Sequence, residues 1–300
     1  MTASPSDLLD QRAELLRAGV HDAGQDGAHE AELRRVTDTL AELVDAEGLR
    51  IRRITADEPP ELLDRLVDAE PVHPFSGPED VADRLAEDRR CFVLELGSAP
   101  SRPLNVVFCA LWHGLARDLG QVLDPAAPTT DPTAADTAIF YSIWNVEPGW
   151  VGLPGGRVLL ERAIEELRAE LPGLRTFATL SPIPGFRRWD DDRSRPSGGD
   201  DTPTEDDLLR RCAEYLTARR EDGRPIDAVA RFHLGNGARL VALTANSDRS
   251  ERGLERSLGI MANYRYEPED RHANRAALEA GRPAVGGEIE RLLDPSTSAR

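Results

Sequence analysis

One block constrains the fold more than any other: a strand, a glycine turn, a helix and a second strand follow one another between residues 137 and 180. Thr137-Ala-Ile-Phe-Tyr-Ser-Ile-Trp144 is apolar and rich in aromatic and β-branched side chains, as a buried strand requires. Gly149-Trp-Val-Gly-Leu-Pro-Gly-Gly-Arg157 then breaks the pattern. Residues 157–171 carry Leu160, Ile164, Leu167 and Leu171 on one helical stripe, and residues 174–180 return to a strand pattern. Strand, crossover helix and strand predict a mixed α/β fold.

The flanks extend this reading. Residues 1–70 read as helical, with Leu8, Leu9, Leu15 and Leu16, then Leu33, Val36, Leu40, Leu43 and Val44, at amphipathic spacing. Residues 19–27 suit a helix-helix loop, and a third helix opens at Pro59 and Pro60 with Leu62, Leu63, Leu66 and Val67 on one face. Helices this short cannot enclose a core alone, so they are expected to pack on the rest of the chain or on another subunit. Residues 91–96 and 104–112 are strand-like, 124–136 a surface loop, and 190–206 a mobile polar segment. A helix over 206–221, a strand over 238–245, a helix near 251–258 and a last strand over 260–266 complete the pattern.

Composition narrows the partners. The 300 residues carry 37 basic side chains, all arginine, against 54 acidic ones, a net charge of −17. So negative a chain is a poor nonspecific partner for nucleic acid or an anionic membrane. No apolar run approaches the roughly 18 residues that cross a bilayer, and the first residues lack a secretion-signal pattern. The three cysteines, Cys91, Cys109 and Cys212, stand far apart and in no metal-binding spacing. A reducing, cytoplasmic setting is the expectation. The C-terminal Pro-Ser-Thr-Ser-Ala-Arg is no peroxisomal address.

Three stretches could carry chemistry. Gly152, Gly155 and Gly156 let backbone amides approach a ligand, and the following helix aims its positive end at the loop. That suits a pyrophosphate, although the spacing is neither a Walker loop nor GxGxxG, and a plain glycine turn opening a helix fits as well. Thr179-Leu-Ser-Pro-Ile-Pro-Gly-Phe186 would project Ser181 from a rigid strand end, or simply begin a proline turn. In Arg231-Phe-His-Leu-Gly-Asn-Gly237, His233 lies between apolar neighbours, where burial tunes a proton donor or merely stores a structural histidine. Of the other histidines, His21, His29 and His272 are expected in solvent, while His73 precedes Pro74 and His113 follows a strand.

Taken together these stretches resemble the malonyl-CoA decarboxylase family. The resemblance rests on Ala138-Ile-Phe-Tyr-Ser-Ile143, the glycine turn, Phe177-Ala-Thr-Leu-Ser-Pro-Ile-Pro-Gly-Phe186, Ala230-Arg-Phe-His-Leu-Gly-Asn-Gly-Ala238 and Met261-Ala-Asn-Tyr-Arg-Tyr266, in this order. Ile54-Thr-Ala-Asp, Glu70-Pro-Val-His-Pro74 and Asp88-Arg-Arg-Cys-Phe92 extend it upstream, so that it covers residues 50–275.

The resemblance implies a GNAT-like mixed sheet with flanking helices at 86–300, behind a small all-α N-terminal domain at 1–85. It implies that Val151, Gly152, Leu153, Pro154, Gly155, Gly156 and Arg157 bind the coenzyme A pyrophosphate. It implies further that Ser181 holds the malonyl group and that His233 protonates the C2 carbanion left by loss of CO2. Asn263, Tyr264 and Tyr141 are candidates for supporting the histidine. No metal or organic cofactor is expected, because the thioester is itself the electron sink. Arg157, Arg187, Arg188 and Arg231 are the arginines nearest in sequence for phosphate contact.

Two departures stand out. The N-terminal domain is shorter than is usual in the family, so a homo-oligomer is expected without a defined order, and Pro154 replaces a carboxylate that relatives tend to carry. The alternatives are a GNAT-like decarboxylase or acyltransferase acting on a malonyl or methylmalonyl carrier protein, and a non-catalytic acyl-CoA-binding homologue.

Overall fold

The computed structural model describes residues 4–21, 27–127, 129–193, 203–294 and 296. Most of the expected 19–27 loop and of the polar 190–206 segment therefore lies outside the described residues.

The helices are α1 (Pro5–His21), α2 (Gly27–Glu47), α3 (Pro60–Asp68), α4 (Pro78–Asp83), α5 (Leu119–Leu123), α6 (Gly156–Glu170), α7 (Phe186–Arg193), α8 (Glu205–Thr217), α9 (Ala228–Gly235), α10 (Glu251–Ser257), α11 (Arg271–Glu279) and α12 (Gly287–Leu293). The strands are β1 (Leu49–Ile54), β2 (Arg89–Leu96), β3 (Asn105–Trp112), β4 (Thr137–Asn145), β5 (Thr176–Thr179), β6 (Ser181–Pro182), β7 (Arg239–Thr244) and β8 (Met261–Tyr266). A short 3-10 turn, Pro148–Trp150, precedes α6.

The expected strand, turn, helix and strand between 137 and 180 are β4, the 3-10 turn, α6 and β5. One expectation needs correction: residues 1–70 are not uniformly helical, because Leu49–Ile54 is a strand. Leu49 and Ile51 alternate there with Arg50 and Arg52, and that period of two wins over the helical pattern around it. Residues 190–193 are likewise helical, closing α7. Helices α4, α5, α7, α9, α11 and α12 had no clear helical signal in the sequence.

The chain divides into two compact units, residues 1–109 with 142–170, and residues 110–141 with 171–300. In the first, β1 pairs antiparallel with β2 from Leu49↔Leu96 to Ile54↔Cys91, and β2 neighbours β3. Every residue of β2 is buried, as a strand covered on both faces must be. Helix α6 packs on β1 and β2 and buries Leu159, Leu160, Ala163, Ile164 and Leu167. Each of its leucines and Ile164 contributes about 1.5–3 kcal/mol by leaving water. Helices α1 and α2 pack on each other, and α1 also packs on the 3-10 turn. The N-terminal helices thus find their apolar partner within the chain.

In the second unit the end of β3 neighbours the start of β4, with the Asp136 N–H donating to Trp112 O at 3.1 Å. Strand β4 runs parallel to β5, from Thr137↔Thr176 to Phe140↔Thr179. Strands β5, β6 and β7 all pair antiparallel with β8. Strand β8 is therefore the hub of this unit, and five of its six residues are buried.

Candidate functional site

Ser181 opens β6 just past the end of β5, where it pairs with Ala262 of β8. His233 comes from α9, which is short but firmly started: Asp227 at its N-cap accepts from the Val229 and Ala230 amides at 2.8 Å each. The Asp227 carboxylate also accepts from the Tyr215 hydroxyl at 3.2 Å. Burial raises its pKa, against the pull of those bonds.

These two elements bring the expected pair together. Ser181 Oγ lies 3.1 Å from His233 Nε2 and 2.8 Å from Thr179 Oγ1. His233 Nδ1 lies 2.7 Å from the Tyr266 hydroxyl. Tyr264 stacks on the imidazole, with ring centres 4.7 Å apart and planes 23° apart. Ser181 and His233 are 5% and 3% exposed. Burial with no compensating charge pushes the His233 pKa down to about 3, so the ring is neutral near pH 7.

Asn263 does not touch the histidine through any of its observed bonds. Its Nδ2 donates instead to Ala116 O at 2.9 Å and Thr179 O at 2.7 Å, fixing the backbone from which Ser181 projects. The Thr179 hydroxyl is fixed in turn by the Tyr264 N–H at 3.1 Å. Tyr141 is buried on β4. Thr179 and Tyr266 were missed by sequence reasoning. Strand alternation could have found both, since each lies two residues from a residue already singled out.

The glycine loop belongs to the first unit. Glu147 caps its 3-10 turn by accepting from the Gly149 N–H at 3.2 Å. Gly152 has φ +82°, a left-handed conformation that favours glycine. Gly155 is buried where a Cβ would overlap Asn105 Oδ1 and the Trp150 indole nitrogen, both of which are buried without a hydrogen-bond partner. Asn105 Nδ2 donates to Asn145 Oδ1. Gly156, Arg157 and Val158 form the first turn of α6, where backbone amides have no partner inside the helix. Leu153 and Arg157 are half-buried, while Val151, Gly152 and Pro154 are exposed. The loop therefore presents amides, a left-handed glycine and one arginine to an anion.

The other arginines differ in their commitments. Arg231 donates to Pro225 O at 2.9 Å, and Arg187 donates to Leu254 O at 3.3 Å. Arg188 is exposed. His29, expected in solvent, is half-buried with Nε2 shielded, whereas His113 and His272 are exposed and the His21 side chain lies outside the described residues. Among the described residues no group of three or more His, Cys, Asp or Glu is placed to share a metal ion, and no helix is long and apolar enough to cross a membrane.

Comparison with known proteins adds to this geometry. A family model described as the malonyl-CoA decarboxylase C-terminal domain matches residues 48–209 and 202–300. The mitochondrial malonyl-CoA decarboxylase of Anser anser anser is 30% identical over 315 residues, covering 90% of this chain and 62% of that protein. This chain thus spans less than two thirds of that relative's length. The crystal structure of malonyl-CoA decarboxylase from Agrobacterium vitis matches with a TM-score of 0.85 at 33% identity, covering 96% of this chain and 75% of that one. The loading GNATL domain of CurA from Lyngbya majuscula matches with a TM-score of 0.51 at 17% identity, covering 74% of this chain and 99% of that one, a likeness of fold alone.

Proposed function

The chain belongs to the malonyl-CoA decarboxylase family, and on that premise we propose that it converts malonyl-CoA to acetyl-CoA and CO2. The observation that carries this reading is the buried Ser181–His233 contact at 3.1 Å, with Tyr266 behind the ring.

The reaction breaks the C2–carboxylate bond. The bonding pair moves into the thioester as an enolate, CO2 leaves, and C2 then takes a proton. Ser181 hydrogen-bonds the malonyl group and holds its carboxylate out of the thioester plane, so that the breaking bond overlaps the carbonyl system. We assign the ring proton of His233 to Nε2, with the Tyr266 O–H donating to Nδ1. That tautomer points the proton at the Ser181 side, where C2 would lie. The substrate's negative charge, first on the carboxylate and then on the enolate, opposes the effect of burial and favours the protonated ring, whose Nδ1–H the Tyr266 hydroxyl would then accept. Solvent returns the proton after CO2 departs. The glycine loop and the start of α6 hold the coenzyme A diphosphate, assisted by Arg157.

The test is to incubate the protein with malonyl-CoA, methylmalonyl-CoA and a malonyl carrier protein, and to follow CO2 and acyl products by mass. Turnover of malonyl-CoA that falls about a hundredfold or more in His233→Ala supports the reading. Turnover of the carrier substrate alone would replace it, and no product from any of the three would sink it.

A further inference from the structure

The longest-range interactions of helix α1 converge on the back of the glycine loop. Arg12, 6% exposed, donates from Nη1 to Gly149 O at 2.7 Å and to Val151 O at 2.9 Å. Its Nε donates to Thr37 Oγ1 of α2 at 2.9 Å. A second arginine reaches the same turn: Arg102 Nε meets Glu147 Oε2 at 2.5 Å, while its other nitrogens reach Ser6 O at 3.0 Å and Asp10 Oδ1 at 2.6 Å, both in α1. The contact is close in the backbone too, since a Cβ on Gly149 would overlap the carbonyl oxygen of Leu9.

We infer that Arg12 is a positioning residue for the acyl-CoA loop, and that α1 forms the rear wall on which the diphosphate-binding backbone is set. This rests on the proposed role of that loop in holding the diphosphate. Two carbonyls held by one guanidinium cannot rotate, and a fixed carbonyl fixes the amide of the next residue. Gly149 O belongs to the peptide of the Trp150 N–H, which is already bonded to Glu147 O. Val151 O belongs to the peptide of the Gly152 N–H, whose residue has φ +82°. Arg12 thus sets the direction of the exposed Gly152 amide and places a cation behind it, both of which favour an anion on the opposite side. Glutamine would supply at most part of the hydrogen bonding and none of the charge.

The discriminating pair of substrates is malonyl-CoA and malonyl-pantetheine, which lacks the diphosphate. In the wild-type full chain, malonyl-CoA should have the lower KM. Arg12→Gln should raise the KM for malonyl-CoA about tenfold, equivalent to roughly 1.4 kcal/mol, leaving kcat and the malonyl-pantetheine KM nearly unchanged. A general loss of structure would affect both substrates alike. Should Arg12→Gln fail to fold, Arg12→Lys and Thr37→Val each remove fewer contacts, and each should raise only the malonyl-CoA KM. A folded variant set with the wild-type preference intact overturns the inference. A wild type without any preference overturns the diphosphate-binding role of the loop itself, which is a separate result.

Discussion

The Tyr266 hydroxyl lies 2.7 Å from His233 Nδ1, on the opposite side of the ring from Ser181, so both ring nitrogens are engaged in a buried site. A histidine held at one end only could rotate or exchange tautomers. Held at both, it presents a fixed nitrogen to Ser181.

Tyr266→Phe keeps the ring and removes that anchor. If His233 delivers the proton as proposed, the variant's kcat for malonyl-CoA should fall about 10- to 100-fold, with KM within about threefold, because the loss would touch proton delivery rather than binding. Steady-state kinetics check this. A KM change without a kcat change would place Tyr266 outside proton transfer.

The strands and the Ser181–His233 pair were legible because their signals are local. Residues 137–144 and 260–266 are apolar runs, and the serine and histidine stand in distinctive surroundings. Alternation along β8 puts Tyr266 on the same face as Tyr264, but its bond to His233, 33 residues away on α9, exists only once the helix packs on the strand. Asn263 drew attention as a support for the histidine, yet its side chain donates to the carbonyls of Ala116 and Thr179, which only the folded chain brings within reach. Strand β1 was lost inside a long helical stretch, since its period of two spans only six residues and its six partners on β2 meet it only in the folded chain. The clamp of Arg12 on Gly149, 137 residues away, has no sequence signal.

Burial of His233 also makes a pH prediction. Its pKa is depressed to about 3 in the folded chain, against an unfolded value near 6.5. Between these values the unfolded chain binds a proton that the folded one does not. This contribution to stability is fully present above about pH 6.5 and is lost as pH falls towards 3. His233→Gln should therefore flatten the loss of stability between pH 6.5 and 4 in urea titrations. An unchanged slope would show that the histidine is accessible to protons when folded.

Glu70 should act in the opposite direction. Its carboxylate accepts from the Val72 N–H at 2.5 Å and the His73 N–H at 2.9 Å, but burial outweighs these bonds and the nearby Arg84 charge and raises its pKa to about 7. Here the folded chain binds the extra proton between about pH 4.5 and 7, so this group's contribution declines as pH rises through that window. Glu70→Gln keeps an oxygen for the two amides and removes the titration. The variant should gain stability relative to wild type at pH 8 compared with pH 5, by on the order of 2–3 kcal/mol. Equal differences at the two pH values would refute the raised pKa.

Gly155 and Gly235 offer a matched pair of substitutions, because the same added methyl meets opposite surroundings. At Gly235, in α9, a Cβ meets nothing within 4 Å, so Gly235→Ala should be neutral or stabilising by about 0.5–1 kcal/mol through the unfolded chain. At Gly155 the methyl would overlap Asn105 Oδ1 and crowd Trp150, and Asn105 cannot swing aside without losing Asn145. Gly155→Ala should cost about 1–3 kcal/mol. If the clash is with Asn105, it should shrink in an Asn105→Ala background, giving a coupling of about 1 kcal/mol in a double-mutant cycle read by urea unfolding. Because Gly155 adjoins the first turn of α6, the single variant should also weaken binding of coenzyme A more than binding of pantetheine, as judged by calorimetry. Additive costs, or equal losses for the two ligands, would mean that Gly155 is required by something other than its approach to Asn105.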